Sequence, residues 1–130
     1  MRCPSCSKEG TFRPWEGPQE SMGLTILARG SRCSACGEIV FSHAEMQAME
    51  RSAASAIVER GIRSGHDFKV VRKAAGFRAV EVAEMLAVRP ETVSRWERNE
   101  VDLPRTAAFA LGELFLHPIV TRKKLEAFSA

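Results

Sequence analysis

Four cysteines carry the most specific chemistry in this 130-residue sequence. Cys3-Pro4-Ser5-Cys6 and Cys33-Ser34-Ala35-Cys36 are two pairs with the same internal spacing, and 26 residues stand between Cys6 and Cys33. A Cys-x-x-Cys step makes a tight turn that presents both sulfurs on one side. Two such turns brought together offer four thiolates in the tetrahedral arrangement that zinc prefers, at about 2.3 Å each. Four thiolates close the coordination sphere, so one structural Zn2+ on Cys3, Cys6, Cys33 and Cys36 is expected rather than a catalytic one. Metal-binding free energy also contributes directly to folding, which matters for a segment with few large apolar residues. A redox dithiol is the competing reading, but neither pair has the strand-then-helix setting of a thioredoxin-like site. His43 is the nearest nitrogen donor, and beside a complete quartet it reads as a surface residue at a helix start. Trp15, between Pro14 and Gly17-Pro18, is expected to shield one side of the cysteine turn.

A second group of side chains with chemical potential lies at Arg78, Arg89, Glu91, Thr92, Ser94, Arg95 and Arg98. Here apolar residues recur at helical spacing: Val82, Ala83 and Leu86 give one helix a buried face, Val88 plugs a turn, and Val93 with Trp96 gives the next helix its buried side. Pro90 suits a first helical turn, where its missing N–H has no helical partner to lose. Two short helices joined by a three-residue turn, the second exposing Glu91, Thr92, Ser94, Arg95 and Arg98, form the pattern of a DNA-binding helix-turn-helix.

The elements that must position these groups differ between the two halves. Upstream, Leu24, Ile26 and Ala28 alternate with Thr25, Leu27 and Arg29, predicting a strand ended by Gly30; a short strand follows at 39–41. Ser42 with Glu45 makes a capping box for a helix running to about Arg60, with Met46, Met49, Ala53 and Ile57 on one face, expected to pack on the cysteine domain. Downstream, five short helices are predicted, at about 67–75, 79–86, 90–98, 105–116 and 119–127. The expected fold class is α+β: a small zinc-binding α/β domain over 1–64, a linker at 65–66, and an all-α five-helix domain over 67–130. The apolar stripe Ala107, Ala108, Leu111, Leu114 and Phe115, with Ile119, Leu125 and Phe128, exceeds what one helix of so small a domain can bury, so part of it is expected to form a homodimer contact. Nineteen Lys and Arg against 16 Asp and Glu leave a net charge of +3, which permits nucleic acid without demanding it. No run reaches the roughly 18 apolar residues of a membrane span, and the first residues lack the apolar core of a secretory signal, so no membrane and a reducing cytoplasm are expected. No nucleophile with a base, paired carboxylates or phosphate-binding glycine loop is apparent, so an enzyme is not expected.

The run Val71-Arg72-Lys73-Ala74-Ala75-Gly76-Phe77, then Val82-Ala83-Glu84-Met85-Leu86, then Thr92-Val93-Ser94-Arg95-Trp96-Glu97-Arg98-Asn99 resembles the Xre/Cro family of bacterial regulators. With the two cysteine pairs ahead of it and Leu116-His117-Pro118 behind, the whole chain is similar to MqsA-type antitoxins. That resemblance implies a structural zinc, an N-terminal domain that neutralises a ribonuclease toxin, and a C-terminal domain that dimerises and represses its own operon by binding a palindromic operator. Arg95 is then the best candidate to read a base, since its guanidinium can bond both O6 and N7 of guanine, worth about 1–3 kcal/mol of discrimination. Thr92 can touch a thymine methyl. Glu91 stands where the family suggests asparagine, so a different operator sequence is expected, or no contact at that position. Arg78 and Arg89 stand where the family carries Ser or Thr caps, and Ala79 where it often has a phosphate-binding glutamine. Either solvent screens the two arginines, or both clamp DNA phosphates beside the helix starts. Glu97 is expected to pair with a basic neighbour of its own domain. Two alternatives stay open: a stand-alone zinc-containing repressor without a toxin partner, and a redox or metal-responsive sensor.

Overall fold

A two-residue hairpin turn organises the first part of the chain. Met22 and Gly23 both hold positive φ, 52° and 77°, the backbone of a type I′ turn whose twist matches that of the strands it joins. β1 (Phe12–Ser21) and β2 (Leu24–Cys33) run antiparallel from this turn, with Ser21 opposite Leu24 and Phe12 opposite Cys33. The short β3 (Ile39–Val40) pairs with Ser31 and Arg32, completing a three-stranded sheet in the order β1-β2-β3. The computed structural model describes residues 1–128.

Two features of the sheet differ from the expectation. The sequence does not announce β1, because Pro14, Gly17 and Pro18 argue against a strand; it lies at the sheet edge, and the two prolines share parity, so both can turn their donor-less nitrogens away from β2. Gly30 does not end β2. It sits opposite Trp15, and a Cβ there would meet the Phe41 ring at 2.7 Å and the Val40 carbonyl oxygen at 2.8 Å. Glycine is required at this point for close approach, not for termination. Trp15 meets Phe41 edge-on at 6.2 Å and lies over Gly17.

α1 (His43–Arg60) starts with the expected box: the Ser42 hydroxyl accepts from the Glu45 N–H at 3.1 Å, and the Glu45 carboxylate accepts from the Ser42 N–H at 2.8 Å. Its buried face is Ala53, Ala54 and Ile57, while Met46 is half exposed. Of the expected stripe, Ala53 and Ile57 are buried and Met49 is partly covered, so the face stands and only Met46, one turn from the start of the helix, is left open. By compactness the chain falls into two units, Met1–Ala53 and Ala54–Ala130, with the boundary inside α1. In the first unit, the early turns of α1 line a groove with Leu27, Ala28 and Arg29 of β2.

The second unit continues with α2 (Gly65–Ala74), α3 (Ala79–Met85), α4 (Pro90–Glu97), α5 (Arg105–Leu116) and α6 (Pro118–Ala127). These elements follow the predicted helices to within about two residues, and with α1 the described residues hold six helices. A count of five for the C-terminal unit is not exact, because it also includes the end of α1, where Val58 packs near Gly112 of α5. Its core is Ile57, Phe68, Val71, Val82, Val93, Trp96, Leu111 and Leu114, with Phe68 and Trp96 edge-to-face at 5.8 Å. The pair 65–66, expected as a linker, forms the first turn of α2. Ser64 caps that helix by accepting from the Asp67 N–H, and the Gly65 N–H donates to Asn99 Oδ1 at 3.0 Å. A Cβ at Gly65 would fall on the Trp96 carbonyl oxygen, so glycine is what allows α2 to start against the end of α4.

Candidate metal centre and the α3–α4 surface

The two cysteine turns share one backbone design. Cys3 N–H donates to the Lys8 carbonyl and Ser7 N–H to the Cys3 carbonyl; in the second turn Cys33 N–H donates to Glu38 and Gly37 N–H to Cys33. Ser7 and Gly37 occupy the same place, both with positive φ, 63° and 81°. The four sulfurs lie within 4.8 Å of one another, with Cys3 to Cys36 at 3.6 Å and Cys6 to Cys33 at 3.7 Å. A tetrahedron with metal–sulfur bonds of about 2.3 Å has edges of about 3.8 Å. Donor type, number and spacing therefore fit a metal ion held by four thiolates, and all four cysteines are free of disulfides. His43 is outside the group.

The sulfurs are not equivalent. Cys3 and Cys33 are buried, Cys6 is partly covered, and Cys36 is exposed. The Thr11 hydroxyl, 3.1 Å from Cys33 Sγ, leads the effects on that thiol; with backbone N–H donors of the turn it outweighs desolvation and brings Cys33 down to about 6. Cys36 goes the other way. A backbone N–H at Glu38 favours its thiolate, but desolvation and the three neighbouring sulfurs prevail, and it is pushed up to about 12. The Cys33 shift reflects its hydrogen-bond donors and the Cys36 shift its desolvation among the other sulfurs, and a bound cation would favour the thiolate form of both. No local signal in the sequence marks Thr11, because its partner lies 22 residues away, on the far side of the hairpin.

α3 and α4 meet through a turn in which Ala87 holds φ 55° and Val88 N–H bonds the Ala83 carbonyl. Val82, Ala83, Val93 and Trp96 are buried. Glu91, Arg95 and Arg98 are exposed, on the side of α4 opposite Val93 and Trp96, and Thr92 and Ser94 flank them half-buried. Arg98, at the end of α4, pairs with Glu100 at 3.3 Å; Arg95 makes no ion pair among the described residues. Arg89 precedes α4 with no side-chain cap bond. Arg78 precedes α3 and offers no side-chain acceptor to the first turn, but the reciprocal half of a capping box is present: Glu81 accepts from the Arg78 N–H at 2.9 Å and from its Nε at 3.2 Å. Those bonds, the backbone one foremost, hold the Glu81 carboxyl below its ordinary range.

Beneath this surface Glu97 takes two bonds from Arg72, at 2.6 and 3.0 Å, while Arg72 Nη1 donates to the Phe77 carbonyl. The pair ties α2 to α4 and to the loop before α3. A basic partner for Glu97 within the same half was expected; which one is a matter of tertiary packing. No protein-family model matches the chain, and no curated protein matches it.

Proposed function

We propose that this protein is a homodimeric, zinc-containing DNA-binding transcriptional regulator of the MqsA antitoxin type. The observation that carries this reading is the outward face of α4, where Arg95 and Arg98 stand free of the core while Val93 and Trp96 fix the helix from behind. In this reading α4 enters the major groove, Arg95 reads a guanine, Thr92 and Ser94 touch neighbouring base edges, and Glu91 accepts from cytosine. Arg89 and Arg78 contact phosphates at the groove rim. Cys3, Cys6, Cys33 and Cys36 hold one structural Zn2+, which would cross-link the two turns when bound; the N-terminal unit then serves as the surface for a ribonuclease toxin. Homodimerisation falls to the C-terminal unit, whose Phe109, Leu116, Ile119 and Val120 are exposed apolar residues.

The test is fluorescence anisotropy on DNA from the protein's own upstream region, with scrambled DNA as competitor. Specific binding by the full chain is expected, with Arg95→Ala reducing preference for one base pair by about 1–3 kcal/mol. Arg89→Ala should weaken binding to all sequences and reduce the salt slope by about 0.9. Arg78→Ala should do less, because its guanidinium is shared with Glu81. Equal affinity for operator and scrambled DNA would reject the reading. Co-purification of a small ribonuclease separates an antitoxin from a stand-alone repressor, and operator affinity that changes with mild oxidant or chelator would point to a sensor.

A further inference from the structure

The two cysteine turns are alike in backbone and unlike around their sulfurs. Each first cysteine donates its N–H across the turn, at 2.9 Å for Cys3 and 2.8 Å for Cys33, and accepts at its carbonyl from the residue four positions on. Only the second turn places a side-chain hydroxyl on its first sulfur: among the described residues Thr11 Oγ1, at 3.1 Å from Cys33 Sγ, has no counterpart at Cys3. The same threonine is tied to that turn a second time, since its carbonyl accepts from the Ser34 N–H at 2.9 Å. Its hydroxyl is thus aimed by the segment whose sulfur it touches.

With both groups protonated, either atom can donate. A metal-bound thiolate has no proton, so the hydroxyl hydrogen becomes the one available and the bond becomes charge-assisted. Donors of this kind fix the direction of a ligand's lone pairs and withdraw electron density from it. We propose that Thr11 is a positioning residue of the metal centre, donating to the Cys33 thiolate and holding that sulfur in its ligating place. The proposal rests on the reading of the four cysteines as a metal site. It makes Cys33, buried and bonded by Thr11, the anchored ligand, and Cys36, exposed, the one at which the sphere opens to solvent.

The full chain loaded with Co2+ tests this, because sulfur-to-cobalt charge-transfer bands report the electron density on the thiolates. Thr11→Val keeps the shape and removes the donor, Thr11→Ser keeps the donor, and Thr25→Val, at an exposed site on β2, controls for general effects on the sheet. Thr11→Val is expected to move the charge-transfer band to lower energy and to weaken metal binding, measured against a chromophoric chelator, by about tenfold. Thr11→Ser and Thr25→Val should match the parent. A band and affinity unchanged in Thr11→Val overturn the role of Thr11 while leaving the metal site intact. A parent chain that takes up no Co2+ overturns the metal reading and this proposal together. If Thr11→Val does not fold, Thr11→Ala against Thr11→Ser makes the same comparison, since both lose the methyl and differ in the hydroxyl: a shift in Thr11→Ala alone supports the proposal, and identical bands overturn it.

Discussion

Arg72 and Glu97 are each about nine-tenths covered, at 10% and 9% side-chain exposure, and they bond in a two-pronged geometry. Burying two charges costs solvation that the pair recovers only when both partners are present. Glu97→Ala should therefore destabilise the protein by about 3–5 kcal/mol in urea unfolding, and the double substitution Arg72→Met with Glu97→Leu by much less. Asp67 is a second buried anion, with Arg60 Nη1 and Nη2 at 3.0 and 3.1 Å and the Arg63 N–H at 3.0 Å. Burial alone would raise its pKa, but the Arg60 bonds, the Arg63 N–H and the charge of Arg60 win and lower it below the ordinary 3.8. A carboxyl depressed in the folded state contributes its stabilisation above the unfolded-state value and loses it as pH falls through the folded one. Asp67→Asn should thus cost about 1–2 kcal/mol at pH 7, and its deficit should shrink toward zero as unfolding is followed below pH about 4. A deficit that stays constant with pH would contradict this account.

Among the elements, the hairpin and the α2–α4 contact depend on single backbone positions. Met22 takes φ 52° in the first place of the type I′ turn and is partly exposed. L-residues pay for the left-handed region through the clash of Cβ with the backbone, and asparagine tolerates it best after glycine. Met22→Asn should stabilise the metal-loaded protein by about 0.5–1 kcal/mol, read as a higher denaturation midpoint at unchanged slope. Helix periodicity is legible because α4 and α5 bury one face turn after turn against one core, as Val93 with Trp96 and Ala107, Leu111 and Leu114 illustrate. β1 was not legible, because its prolines and glycine look like a loop until β2 is laid beside it. Gly30 illustrates the same limit: a glycine signals a break in one dimension, whereas here Phe41 and Val40 require it in three. Of the candidate sites, the cysteine spacing was explicit in the sequence, and Thr11 was not.

For the whole molecule, the two units draw on different sources of cohesion. Met1–Ala53 buries Cys3, Ile26, Ala28, Cys33 and Ala53 but no aromatic side chain, whereas the described residues of Ala54–Ala130 bury Phe68, Trp96 and Phe115 with six fully covered aliphatics, Ile57, Val71, Val82, Val93, Leu111 and Leu114. Metal removal should therefore separate them. Adding a strong chelator is expected to collapse the amide dispersion of residues in β1 and β2 while leaving that of α2–α5 in place, followed by two-dimensional NMR. Loss of both sets at the same chelator concentration would mean that the helical unit needs the metal as well. No helix among the described residues is long and apolar enough to cross a membrane.

The sequence by itself determined the four thiolates, the capping box at Ser42 and Glu45, and the succession of helices, because each rests on spacing within a few residues or on a short repeated pattern. Tertiary structure decided the rest. It chose Arg72 as the partner of Glu97 across 25 positions and brought Thr11 to Cys33 across 22. It placed Gly65 under the Trp96 carbonyl and made a strand of a proline-rich stretch. The physical reason is common to all four. Charges, hydroxyls and close backbone approaches act over a few ångströms, and nothing in the linear order says which distant segment will arrive within that range.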